Sequence, residues 1–105
     1  MNLPTVMHKE ELSINLLNLS KGAMILRAIN HQLRQRMLGV IHAQKKITVT
    51  ELYIKLRIEQ SVASQHLAIL RRTGFVTTKR EGKFIYYFVN YERLRYVQQL
   101  VQGIL

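Results

Sequence analysis

The chain has no cysteine, no aspartate and no tryptophan, and only one proline, Pro4. Without cysteine there can be no disulfide, no thiolate metal site and no thiol-based redox sensing. With aspartate absent as well, and no serine–histidine relay in evidence, little remains from which to build a catalytic centre. No apolar run approaches the ~18 residues of a membrane span. The first residues lack the basic-then-apolar order of a signal peptide, so a cytoplasmic protein is expected. Negative charge is scarce: six glutamates stand against sixteen Lys and Arg, giving a formal charge of +10. Twelve of the basic residues and only three of the acidic ones lie between Arg27 and Lys83, so the excess sits in the body of the chain. Such a charge steers a protein toward polyanions, nucleic acid first and an anionic membrane surface second. The 105 residues, 48% apolar and without low-complexity runs, suit a single domain over residues 1–105.

What is present is organised around Gln60-Ser61-Val62-Ala63-Ser64-Gln65-His66-Leu67-Ala68-Ile69-Leu70-Arg71-Arg72. On a helix at about 100° per residue this stretch divides into two faces. Val62, Ala63, His66, Leu67, Ile69 and Leu70 fall on one side; Ser61, Ser64, Gln65, Ala68, Arg71 and Arg72 fall on the other. A solvated outer face more often mixes long charged residues of both signs. Short hydroxyls, an amide and a methyl can approach base edges, and the terminal arginines can hold phosphate. Taken alone, the stretch also fits an amphipathic core helix with a polar outside.

On either side, the pattern supplies a frame. From His8 a leucine-rich helical segment carries Leu12, Leu16 and Leu19, and its coating implies burial on two sides. Ser20-Lys21-Gly22 either breaks this helix or lies within one that continues to Ile29. Asn30 is a suitable cap for a helix from about His31 to His42, with Leu33, Met37, Val40 and Ile41 inward and Arg34 and Arg36 pointing elsewhere. Thr48-Val49-Thr50-Glu51 has the form of a capping box and opens a short helix to about Leu56, with Leu52, Tyr53 and Leu56 inward. Arg57-Ile58-Glu59-Gln60 then turns the chain into the central stretch, which makes residues 48–72 a helix-turn-helix.

Gly74 supplies a left-handed stop. Phe75-Val76-Thr77-Thr78 and Phe84-Ile85-Tyr86-Tyr87-Phe88-Val89 have strand composition, with Lys79-Arg80-Glu81-Gly82-Lys83 as a basic tip, so residues 75–89 should form a β-hairpin wing. Asn90 caps a last helix, Tyr91 to about Ile104, where Leu94, Val97, Val101 and Ile104 make a heptad-like seam. This seam and the leucine-rich N-terminal segment are expected to share one interface with a second copy of the chain. The fold class is mainly α with a small β-hairpin.

This order resembles the winged helix-turn-helix of the ArsR/SmtB family of bacterial repressors. Ser61-Val62-Ala63-Ser64-Gln65-His66-Leu67 is similar to the family's recognition helix, where a serine precedes a His-Leu pair. Arg80-Glu81-Gly82-Lys83-Phe84-Ile85-Tyr86-Tyr87 resembles its wing, and Leu70-Arg71-Arg72-Thr73-Gly74-Phe75-Val76 the connection between them. The likeness covers roughly residues 29–89. It implies a homodimer with dimerisation helices at 8–29 and 91–104, binding to a double-stranded operator, and release by an effector.

The chain departs from the family's pattern in two ways. Arg57 and Glu59 stand in the helix-turn-helix corner where the family commonly has glycine and then serine. Thr48 and Thr50 stand where metal-sensing members carry cysteines, and Tyr91, Arg93 and Ile104 lie nearest a second family metal site. No metal site and no cofactor is expected, which points to a branch without the cysteine site. No two of His8, His31, His42 and His66 lie three or four residues apart, the spacing that would present a ligand pair on one helix face. His66, on the apolar face, is expected to make a buried hydrogen bond.

The expected function is sequence-specific DNA binding by a homodimeric repressor, released by a non-thiolate effector or by none. Gln60, Ser61, Ser64, Gln65, Arg72, Lys79, Arg80, Lys83 and Tyr86 are the expected DNA contacts. Leu12, Leu16, Leu19, Leu94, Val97, Val101 and Ile104 are the expected dimer contacts. The alternative is a protein–protein adaptor in a nucleic-acid-bound assembly. Such a surface would call for large apolar anchors, which the outer face of the central helix lacks.

Overall fold

Helix α1, residues 20–29, passes through Lys21 and Gly22 without a break, in a computed structural model that describes residues 20–104. Leu12, Leu16 and Leu19 lie outside the described residues, as does the side chain of Ile104. The next helix, α2 (Gln32–Gln44), is capped by His31 and not by Asn30. Asn30 still belongs to the end of α1, because its N–H donates to Leu26 O at 2.9 Å. His31 is extended (φ −148°, ψ 122°), and its ring Nδ1 accepts from the Arg34 N–H at 3.4 Å. Helix α2 buries Met37, Leu38 and Ile41, and with them Arg34, which the helical spacing had assigned to the outside.

Helix α3 (Val49–Leu56) starts on Thr48, whose Oγ1 accepts from the Glu51 N–H at 3.2 Å. The Thr48 hydroxyl also donates to the Glu51 carboxylate at 2.9 Å, so Glu51 reaches back to the hydroxyl of the cap. Leu52 and Leu56 are buried and Tyr53 is half-buried. The helix closes with Ile58 N–H on Tyr53 O and Arg57 N–H on Ile54 O, which places Arg57 in the left-handed region (φ 56°, ψ 45°). A residue with a Cβ is disfavoured there by about 1–2 kcal/mol, an excess that glycine's larger unfolded-state entropy partly offsets. Arg57→Gly is therefore expected to raise stability by about 0.5–1 kcal/mol, visible as an upward shift of a few degrees in the thermal midpoint. An unchanged or lower midpoint would mean that the Arg57 side chain makes compensating contacts.

Helix α4 (Gln60–Arg72) occupies the whole of the central stretch and buries Ala63, Leu67 and Leu70. Its end is a Schellman motif: Phe75 N–H donates to Leu70 O at 2.8 Å and Gly74 N–H to Arg71 O at 3.1 Å. Gly74 has φ 85°, and a Cβ there would meet the Arg93 side chain, with Nε at 2.9 Å, so glycine suits the turn and leaves room for that guanidinium.

Strands β1 (Val76–Glu81) and β2 (Phe84–Val89) pair antiparallel, from Val76 opposite Val89 to Glu81 opposite Phe84. The turn is only Gly82-Lys83, shorter than the five-residue tip the sequence suggests. Gly82 has φ 63° and Lys83 does not have positive φ, the pattern of a type II′ turn that matches strand twist. Lys79 and Arg80 consequently lie within β1, opposite Tyr86 and Ile85. Ile47 forms an isolated bridge with Tyr87, which docks the hairpin on the α2–α3 connection. Asn90 then ties the chain together: its N–H donates to Phe75 O, its Nδ2 to Gly74 O, and its Oδ1 accepts from Arg93 N–H at the start of α5 (Tyr91–Ile104). The core around Phe75 gathers Met37, Ile41, Ile47, Leu52, Leu67, Leu70 and Val76, all fully enclosed.

Candidate nucleic-acid interface

Because Ala63, Leu67 and Leu70 anchor one side of α4, its other side is fixed facing outward. Gln60, Ser61, Ser64, Gln65, Ala68, Arg71 and Arg72 are all exposed. They form one strip, with small polar groups in the first turns and two guanidinium groups at the end. Beside this strip lies a cleft of about 510 Å³ lined by Val49, Ser64, Ala68, Arg71, Arg72 and Tyr87. Its far wall belongs to the hairpin and its floor to the start of α3, so three elements converge on one concave surface.

Along the hairpin, Lys79, Arg80 and Lys83 are exposed, and Lys83 Nζ lies 5.4 Å from the centre of the Phe84 ring. Arg80 Nε donates to Gly82 O at 3.1 Å, which holds that guanidinium at the turn although the residue itself is in the strand. Alternation along β2 separates the two tyrosines. Tyr87 lines the cleft, whereas Tyr86 lies near Phe84 and under Lys46 Nζ, 4.6 Å from its ring centre. Tyr87 is thus a cleft residue that the sequence reading passed over in favour of Tyr86; the two-residue strand period was the available signal.

Carboxylates do little to offset this surface. Glu51 is held by the Thr48 hydroxyl, and Glu81 pairs with Lys46 Nζ at 2.7 Å. That hydrogen bond to Glu81 raises the Lys46 ammonium above its ordinary value. Glu59, at the start of α4, makes no side-chain capping bond. Arg71, Arg72, Lys79, Arg80 and Lys83 form no ion pair among the described residues.

The seam of α5 divides. Val97 is buried in the chain's own core and Leu94 packs against it, while Val101 is 42% exposed. Val97 and Val101 face a groove of about 430 Å³ shared with Leu26, Arg27, Ile29, Asn30 and Gln35. Met24 and Tyr96 add further exposed bulk on α1 and α5.

Two histidine contacts also join residues distant in sequence. His42 Nδ1 and Tyr91 Oη are 2.7 Å apart, and the rings of His31 and His66 have centres 4.8 Å apart. Among the described residues no three His or Glu side chains converge as ligands for a metal ion.

Residues 43–78 match the family described as bacterial regulatory protein, arsR family. Over 84 residues the chain is 31% identical to the transcriptional activator HlyU of Vibrio cholerae, covering 80% of this chain and 77% of that protein. Over 65 residues it is 43% identical to the biofilm growth-associated repressor of Agrobacterium fabrum, covering 62% of this chain and 55% of the other. The crystal structure of the transcriptional regulator HlyU from Vibrio vulnificus superposes with a TM-score of 0.62 at 34% identity, covering 90% of this chain and 98% of that one. The chain belongs to the arsR family of bacterial regulatory proteins and is a transcriptional regulator with a winged helix-turn-helix fold.

Proposed function

We propose that the chain binds a specific double-stranded DNA operator as a homodimer and acts as a repressor in the cytoplasm. The observation that carries this reading is the concave surface between α4 and the wing, where the Ser64 hydroxyl and the exposed Arg71 and Arg72 guanidinium groups lie side by side. In this reading residues 48–72 are the helix-turn-helix and residues 75–89 the wing. Ser61, Ser64 and Gln65 meet base edges in a major groove; Gln60, Arg72, Lys79, Arg80 and Lys83 hold the backbone or the neighbouring minor groove, with Tyr87 in the cleft where the sequence suggests Tyr86. Dimerisation uses residues 8–29 and 91–104, with Val101 as the exposed contact on α5 and Val97 held in the chain's own core. Tight occupancy of an operator would exclude the transcription machinery, and release would follow from an effector that needs no thiolate, or from none.

The test is selection of binding sites from a random duplex library by the purified chain, with sedimentation in parallel. The expected result is an inverted repeat whose half-sites are centred about one helical turn, 10–10.5 base pairs, apart. A dimer should persist at micromolar concentration. Failure to enrich any sequence would overturn operator recognition, and a monomer at that concentration would overturn the dimer.

A further inference from the structure

The Arg34 guanidinium is buried where α1, α2 and α4 meet, with the residue only 9% exposed. Its Nε donates to Ala28 O at 2.6 Å and its Nη2 to Arg27 O at 3.1 Å, so it closes the carbonyl end of α1. Its Nη1 lies 3.1 Å from His66 Nδ1, on the inner side of α4. A guanidinium can only donate, so His66 accepts through Nδ1 and carries its proton on Nε2. One side chain therefore connects the end of α1 with the middle of the helix read above as DNA-contacting. Lysine could not replace it, since a single ammonium lacks the fork that spans three acceptors on two elements.

We propose that Arg34 is a positioning residue that sets the seat of α4 through neutral His66, and that this contact makes operator binding weaken in acid. Protonating His66 would put a proton on Nδ1 against the guanidinium and break the bond. Among the described residues no carboxylate pairs with His66. His31 and Arg34 face it, and the Arg27 and Ala28 carbonyls of α1 are bonded to Arg34. On α4 itself the nearest charges in sequence are Glu59 and Arg71, about 10 and 7 Å along the axis at helical rise. The His31 ring is committed too, since its Nδ1 caps α2.

Burial first, then His31 and Arg34, push the His66 imidazole below the ordinary histidine value. The neutral form is thus favoured in the folded state. Its stabilising effect is complete above the unfolded value near 6.5 and is lost as pH falls through the lower folded value. The device differs from an effector site: it needs no ligand, and it acts on the helix from its inner side.

The inference rests on α4 being the DNA-contacting helix, so its test includes a readout without DNA. Nitrogen-detected NMR of the histidine rings should show His66 as the Nε2–H tautomer at pH 7.5, titrating below the ordinary histidine value. Operator affinity relative to scrambled duplex should fall at least threefold between pH 7.5 and 5.5. His66→Gln, whose amide oxygen can still accept from Arg34 but cannot titrate, should keep most of its affinity across that range. Arg34→Lys should lose selectivity at both pH values while retaining charge. An Nδ1–H tautomer, an ordinary titration, or equal acid sensitivity in wild type and His66→Gln would each overturn the proposal. Loss of operator binding at every pH by wild type, with the NMR result as expected, would instead overturn the DNA reading of α4.

Discussion

Phe75→Ala is expected to cost about 3–5 kcal/mol of folding stability, enough to leave little folded protein in a small domain. Phe75 has no exposed surface and follows directly on the stop of α4. Its N–H is bonded to Leu70 O and its carbonyl accepts from Asn90 N–H, so its ring is fixed at the joint of α4, β1 and α5. The surrounding side chains cannot collapse into the space without moving one of those elements. The cost therefore includes a cavity as well as lost burial. Ile85→Ala removes a smaller, aliphatic group from a side chain that is 51% exposed and should cost about 0.5 kcal/mol or less. Urea unfolding of both variants is the measurement; equal midpoints would contradict the placement of the core.

Val97→Asp should destabilise the chain itself by about 2–4 kcal/mol, and not merely separate a dimer. Heptad spacing places Val97 in a seam with Val101 for a second copy, but the residue is 8% exposed and clusters with Ala28, Leu38 and Val89. A carboxylate one bond from Cβ is too short to reach solvent from there. Val101→Asp, at a position 42% exposed, should leave the intrinsic fold nearly intact and act on association. The two are separated by unfolding at protein concentrations a hundredfold apart. Val101→Asp should change how the midpoint depends on concentration, and Val97→Asp should lower it throughout. The reverse pattern would return Val97 to the role that sequence spacing suggests.

These cases mark where the sequence was informative. Helix α4 was legible to its ends, because the apolar positions have one period and Gly74 gives a conformational stop that few residues can replace. The Thr48 cap was equally local, a contact between residues three apart. The left-handed Arg57 was signalled only by the resemblance, through the glycine that the family commonly has in that corner. Arg34 could not be read, since its burial depends on carbonyls six and seven residues upstream and on His66, 32 residues downstream. The same holds for Val97, whose burial is decided by other elements of the core. The wing was legible as a hairpin but not in its register: Gly82 with positive φ allows a two-residue turn, which draws Lys79 and Arg80 into pairs with aromatic and aliphatic partners. Charge in a sequence gives the sign of a surface; pairing decides which cations stand at its tip.

The central claim is that α4 reads bases while the wing holds the backbone. It is tested most directly by measuring Gln65→Ala and Lys83→Ala on operator and scrambled duplex at two salt concentrations. Both side chains are exposed, so neither substitution should disturb the fold. Gln65→Ala should lose about 1–3 kcal/mol on the operator and little on scrambled DNA. Lys83→Ala should weaken both duplexes and lower the salt dependence by about one counterion per site. Equal weakening of both duplexes by Gln65→Ala would make α4 a backbone clamp and contradict the account.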